Sequence, residues 1–234
     1  MIIPAYNEEE SIFDTVTSIL NYRKKVDFDL DYVVINDGST DMTKQILDEN
    51  HFNAVHLVMN LGIGGAVQTG YKYALAHDYD VAVQFDGDGQ HDIESLSDLL
   101  EPIRKNEADL VIGSRFVGDV KSEFQTTFMR RFGIGVISNL IKWTTGQRVL
   151  DTTSGYRLAD KVVIKQFARR YPIKYPEPET IVHILNRKYK VVEKPANMFE
   201  RTGGVSSITP IKSIRYMIEV CSSILIAAFM RESE

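Results

Sequence analysis

Val81-Ala82-Val83-Gln84-Phe85 runs directly into Asp86-Gly87-Asp88-Gly89-Gln90-His91, and on this stretch the reading of the chain turns. The mostly apolar run, closed by a polar turn, reads as a short buried strand. Beyond its end stand two carboxylates one residue apart, and the glycine between them lets the backbone bend so that both reach one divalent cation. Hard oxygen donors suit Mg²⁺ or Mn²⁺, ions that keep several waters and bind substrate phosphates as well. Gln90 and His91 follow at once as candidates to complete the shell. A solvated acidic turn is the plain alternative, and the position at a strand end favours function over it.

The same rhythm extends outward in both directions. Met1–Pro4, Tyr32–Asn36, Ala54–Val58 and Leu110–Gly113 read as further short strands. Between them, Ser11–Tyr22, Met42–Asn50, Gly65–Ala76 and Ile93–Asn106 carry helical patterns. Strand–helix alternation at this spacing predicts an α/β fold with a mostly parallel sheet and helices on both faces. Ligands of such sheets lie beyond the carboxyl ends of the strands. There the polar turns fall: Asn7-Glu8-Glu9, Asp37-Gly38-Ser39, Asn60-Leu61-Gly62 and Asp86-Gly87-Asp88.

Thr40 or Asp41 is suited to cap the helix after the second strand, leaving Asp37 at the strand tip to accept from a base or a ribose hydroxyl. Asn60-Leu61-Gly62-Ile63-Gly64-Gly65 has the look of a phosphate-cradling loop opening a helix. It lacks the dinucleotide fingerprint, and a tight turn is its plain reading. After residue 116 the alternation gives way to helical patterns over Phe128–Thr145, Asp160–Arg170 and Thr180–Arg187, with Lys190–Glu193 as a late strand.

Composition narrows the classes. The 234 residues are 44% hydrophobic and 25% charged, enough for a packed core. A single cysteine, Cys221, excludes a disulfide scaffold. The net charge of −5 conceals a split: residues 1–117 hold 8 basic and 21 acidic side chains, residues 118–234 hold 19 and 11. An acidic front suits metal-binding carboxylates, and a basic rear suits phosphates or an anionic membrane surface. The balance does not suggest a nucleic-acid binder. The apolar, uncharged stretch Val220–Met230 is well short of the roughly 20 residues that span a bilayer.

Taken together, these turns resemble family 2 glycosyltransferases of the GT-A fold, within them most closely the dolichol- or polyprenyl-phosphate sugar transferases. The matching residues are Ile3–Glu9, Val34–Asp41, Asn60–Ala66, Asp86–His91, Ile112–Phe116 and Asp151–Arg157, an ordered series across some 150 residues. The resemblance implies a nucleotide-sugar donor lined by Pro4, Tyr6, Glu8, Gly62 and Gly65, with Asp37 reading the base. It likewise implies that Asp86, Asp88 and Gln90 hold Mg²⁺ or Mn²⁺ on the diphosphate, Asp88 serving catalysis directly. Arg115, Arg130 or Arg131, and Arg201 stand where such relatives receive the acceptor phosphate. Arginine grips phosphate bidentately and is permanently charged. The loop Arg201–Ser207 departs from the usual pattern, in which a lysine often follows the serine.

The acceptor sets the remaining chemistry. A hydroxyl needs a general base, whereas a phosphate monoester, with a second pKa of about 6, arrives largely ionised. Asp151, Glu177 and Glu179 are the base candidates for a hydroxyl, and Asp151 is favoured. The expected arrangement is a domain over 1–208, its donor half 1–116 and acceptor half 117–208, followed by an amphipathic helix over 209–234. That helix presents Ile211, Ile214, Ile218, Cys221, Leu225 and Phe229 at helical spacing. It suits a membrane interface, a small membrane-protein partner through 209–230, or internal packing. The leading expectation is an inverting, metal-dependent transferase acting on a polyprenyl or dolichyl phosphate, peripherally bound at the cytoplasmic membrane face. Transfer to a hydroxyl of a polysaccharide or lipid-linked glycan is the alternative, and a non-catalytic module that binds a nucleotide sugar or a membrane partner is a further one; a homo-oligomer is open in each case.

Overall fold

The computed structural model describes residues 1–118, 128–199 and 210–229, with backbone alone for 128–130 and 210–214. Strands β1 (Ile2–Ala5), β2 (Val33–Asn36), β3 (Ala54–His56) and β4 (Val81–Gln84) alternate with α1 (Ile12–Arg23), α2 (Thr43–Glu49) and α3 (Gly62–Ala76). A short 3₁₀ turn (Ile93–Ser95) and α4 (Leu96–Arg104) lead to β5 (Leu110–Ser114) and α5 (Phe128–Thr145). Then come β6 (Arg157–Asp160), α6 (Lys161–Arg169), α7 (Pro176–Asn186), β7 (Val191–Pro195) and α8 (Pro210–Phe229).

The seven strands form one sheet in the order β3-β2-β1-β4-β6-β5-β7. All neighbours run parallel except β6, which is antiparallel to both β4 and β5. This is the expected mostly parallel α/β sheet, with one strand that the sequence reading did not place. Arg157-Leu158-Ala159-Asp160 is too short, and too charged at its ends, to stand out as a strand. Neighbouring backbones on both sides decide it: Leu158 pairs with Val83 on one edge and Val111 on the other.

Strand alternation divides the core into two layers. Ile2, Val33 and Ile35 face Val67, Tyr71, Val163 and Ile181, while Ile3 and Val34 face Val16, Ile19, Leu47 and Leu99. Each such buried side chain contributes roughly 1.5–3 kcal/mol of transfer free energy. Burial on both faces explains the continuous apolar runs of the strands.

Helix α8 joins the first layer through Val220, Ile224 and Ala227, which are buried, and lies against α5 and α7. Its opposite side leaves Ile218, Ile226 and Phe229 exposed. The Phe229 ring meets the exposed Trp143 of α5 edge-on, centroids 6.2 Å apart. Internal packing therefore accounts for one face of the helix and leaves the other to solvent. No helix among the described residues is long and apolar enough to cross a membrane.

Candidate active site

The loops after β1 and β2 are sewn together. Asn7, at φ 56°, donates its amide to Ser39 Oγ at 3.0 Å and accepts from the Thr40 amide at 2.8 Å. The Glu8 amide donates to Thr43 Oγ1 at 2.8 Å, and the Glu9 amide to Asp41 Oδ2 at 3.1 Å. Asp41 also accepts the Thr43 amide at 3.0 Å, supporting the first residue of α2 from one position before the N-cap, which is Met42 and not Thr40 or Asp41 as expected. Pro4 is buried within β1, Tyr6 stands 46% exposed at its exit, and the half-buried Glu8 accepts from Ser11 Oγ at 3.2 Å.

Asp37 is buried, and its Oδ1 accepts the Leu61 amide at 2.7 Å. Burial pushes this carboxyl up, and the Leu61 and Gly62 amides offset part of the rise. The loop that resembled an open phosphate cradle thus turns its first amides toward Asp37. The plainer reading, a tight turn, describes it better. Gly62 sits at φ +77°, where glycine is strain-free. Gly38 sits at φ +68°, and a Cβ there would lie 2.8 Å from the Asn60 amide nitrogen. At Gly65 a side chain would meet the Leu61 Cβ.

The Asp86–His91 turn hangs on α1: Ser11 Oγ and Thr15 Oγ1 both donate to the Gly87 carbonyl, at 2.9 and 3.2 Å. His91 Nε2 donates to Asp86 Oδ2 at 3.1 Å, its ring buried beside Phe85 and Tyr156. Here the shell proposed from sequence needs correction. His91 holds Asp86 from behind and is not an additional ligand. Burial would raise the Asp86 carboxyl, but the hydrogen bond and charge of His91, aided by Gln84 and Arg157, keep it below the usual carboxylate range. Asp86 Oδ1 is buried with no partner among the described residues, an acceptor suited to a cation. Asp88 and Gln90 are partly exposed, and the Gln90 amide donates to Asp88 Oδ1 at 3.1 Å. No group of three or more His, Cys, Asp or Glu gathers among the described residues. Two carboxylates, an amide side chain and open coordination positions still fit an ion that takes its other ligands from a diphosphate and water.

Two residues given separate tasks prove to be each other's partners. Arg115 donates Nε to Asp151 Oδ2 at 2.8 Å and Nη2 to Oδ1 at 2.7 Å, with its own amide on Oδ2 at 3.0 Å. Thr153 Oγ1 takes a further Nη2 bond at 3.0 Å. The side chains are 6% and 0% exposed. Glu193 on β7 accepts the Leu150 and Asp151 amides, both at 2.7 Å, fixing the loop below them. Asp151, sealed in this fork, is a poor general base, and Arg115 meets any acceptor phosphate with a carboxylate already on its guanidinium. The anchoring role of Glu193 carried no signal in sequence. It is one acidic residue in a late strand.

Arg157 is wholly buried. Its Nε donates to the Ser154 carbonyl at 2.8 Å, and Nη1 to the Glu177 carbonyl at 2.9 Å and Thr180 Oγ1 at 2.8 Å. Burial raises the neighbouring Glu177 carboxyl above its ordinary 4.5, with Arg157 drawing it partly back. The native state therefore holds this proton more tightly than the unfolded chain, and stability falls as pH rises from 4.5 through the raised value. Glu177→Gln is expected to melt higher than wild type at pH 7, the gain vanishing below pH 4.5. Thermal melts across that range measure it. Glu179 is tied to His183 at 3.5 Å and to Ser223.

Arg131 is exposed near the start of α5. The Arg130 side chain and all of Arg201 lie outside the described residues.

A mostly parallel α/β sheet with acidic and polar turns beyond the carboxyl ends of its strands places the candidate site at that edge. A family model for glycosyl transferase family 2 matches residues 1–170, and the chain belongs to that family. It is a glycosyltransferase. A polyprenol monophosphomannose synthase of Mycolicibacterium smegmatis is 30% identical over 224 residues, covering 89% of this chain and 80% of the relative. A UDP-N-acetylglucosamine–dolichyl-phosphate N-acetylglucosaminyltransferase of Methanococcus voltae is 30% identical over 210 residues, covering 82% and 80%. Among solved structures, glucosyl-3-phosphoglycerate synthase from Mycobacterium tuberculosis, crystallised with Mn²⁺, UDP-glucose and phosphoglyceric acid, shares the fold at a TM-score of 0.69. It is 20% identical, and the match covers 99% of this chain and 79% of that one.

Proposed function

We propose that the protein transfers a sugar, with inversion, from a nucleotide-sugar donor to a polyprenyl or dolichyl phosphate at the cytoplasmic face of a membrane. The observation that carries this reading is the fork between Arg115 and Asp151. It closes off the favoured base, and a phosphate acceptor needs none. An acceptor phosphate oxygen attacks the anomeric carbon as the bond from that carbon to the diphosphate breaks, and the electron pair leaves on the diphosphate. Asp86, Asp88 and Gln90 would hold a divalent ion, Mg²⁺ or Mn²⁺, which would offset the charge on the leaving group. Asp37, Tyr6 and Glu8 bind the nucleoside. Arg131, with Arg130 and Arg201, gathers the acceptor phosphate toward Arg115.

Relatives that are polyprenol- and dolichyl-phosphate sugar transferases support this acceptor class. The exposed row of Ile218, Ile226, Phe229 and Trp143 supports interfacial seating of α5 and α8. A hydroxyl acceptor is the second reading, favoured by one observation: Glu177 has a raised carboxyl beside Asp86 and would be the base. Assays with matched acceptors decide between them. A short polyprenyl phosphate should be glycosylated at least about 100-fold faster than the corresponding polyprenol, since removal of a base step is worth about 10²–10⁴. Equal rates, or a preference for the alcohol, would transfer the role to Glu177 and the hydroxyl chemistry.

A further inference from the structure

The antiparallel run of β6 brings its first residues to the exit of β4, because Arg157 pairs with Gln84, two residues before Asp86. The turn preceding β6 therefore lies against the acidic turn. Gly155 is the point of contact. A Cβ built on it would press on Asp86 Oδ2 and lie 2.9 Å from Oδ1 and 3.0 Å from Cγ. Its φ lies outside the left-handed region, so what excludes a side chain there is the carboxylate and not the backbone. The neighbouring Ser154 is 2% exposed, and its carbonyl is gripped at 2.8 Å by Arg157 Nε. Arg157 is itself pinned to the first turn of α7 through the Glu177 carbonyl and Thr180 Oγ1. On the other side, His91 Nε2 holds Asp86 Oδ2 at 3.1 Å.

We infer that the Ser154–Arg157 turn is a backstop for Asp86: Gly155 and Arg157 are positioning residues that, with His91, fix the carboxylate in the one orientation that faces the donor diphosphate. This rests on the role proposed for Asp86, and it adds the residues that set its aim. A methyl group at position 155 has no room while Asp86 stays where it is, so the carboxylate must rotate. Arg157, fully buried and held by three hydrogen bonds, makes the turn too rigid to retreat instead.

The test uses Gly155→Ala in the full chain, with Arg157→Lys as a second variant. Crystal structures of wild type and Gly155→Ala are compared at Asp86, and titration calorimetry with UDP and GDP is run with and without Mn²⁺. The expected result is a changed Asp86 rotamer and at least a tenfold loss of the Mn²⁺-dependent gain in nucleotide affinity. Metal-free nucleotide affinity should stay within twofold and the melting temperature within a few degrees. Arg157→Lys should show a smaller loss of the same kind. An unmoved Asp86 with an undiminished Mn²⁺ gain in Gly155→Ala would overturn the inference. A wild type whose nucleotide affinity ignores Mn²⁺ would instead sink the proposed role of Asp86, and the crystallographic comparison would still decide whether Gly155 aims it.

Discussion

Asp88→Asn is expected to lower the turnover of sugar transfer by about 10²–10³-fold, the range found when one electrostatic stabiliser of a developing charge is removed. The substitution keeps size and hydrogen-bonding capacity while deleting the charge that a divalent ion requires. Asp88 is partly exposed, and its Oδ1 receives the Gln90 amide, a bond that an asparagine oxygen also accepts. The turn should therefore survive. Folding is anchored elsewhere, by Ser11 and Thr15 on the Gly87 carbonyl. The expected pattern is an unchanged melting temperature, a collapse of kcat, and partial recovery at high Mn²⁺. Initial rates over a metal titration, beside a thermal melt, supply both readings. Full metal-dependent transfer by a well-folded Asp88→Asn protein would remove Asp88 from the site.

Asp151→Asn is expected to have its largest effect on stability. Breaking a buried ion pair by neutralising one partner leaves the other charge uncompensated, at a cost of about 3–5 kcal/mol. The pair with Arg115 is sealed from solvent, so little screening discounts that figure. For a chain of this length, it corresponds to a melting temperature lower by about 10 °C. Activity measured well below the melt, per folded molecule, should fall much less than the 10²–10⁴-fold that loss of a general base brings. Replacing both partners by leucine should restore part of the lost stability, since apolar residues tolerate such a site better than a lone charge. A stable Asp151→Asn protein with kcat down a thousandfold would return Asp151 to the role of base.

Much of the fold was legible because its strands are buried on both faces. Tyr32–Asn36 and Val81–Phe85 announce themselves through mostly apolar character, and Phe128–Thr145 through helical spacing. Strand β6 was not legible. Its four residues carry no periodicity of their own and become a strand through pairing with β4 and β5. The acidic turn could be read because glycine and carboxylates at a strand end have few other uses. The pairings could not, because they join residues far apart in sequence. Arg115 and Asp151 lie 36 positions apart, and each looked available until placed against the other. His91 was misjudged for a related reason. Its neighbours in the chain suggested coordination, whereas burial between Phe85 and Tyr156 makes it a support.

The antiparallel insertion of β6 also bears on how the molecule is made. Strands β4 and β5 follow one another in the chain yet never touch, and the strand that joins them is synthesised last of the three, some 70 residues after β4. A nascent chain that has emerged only as far as residue 116 can pair β1 to β4, but it carries β5 as an orphan with both edges bare. Closure of the sheet, and with it delivery of the Ser154–Arg157 turn to the acidic edge, waits on a long-range pairing of the kind that slows folding. The loops after β1, β2 and β4 can take shape early in synthesis. The sheet becomes complete only when the residues after 116 arrive to close the gap.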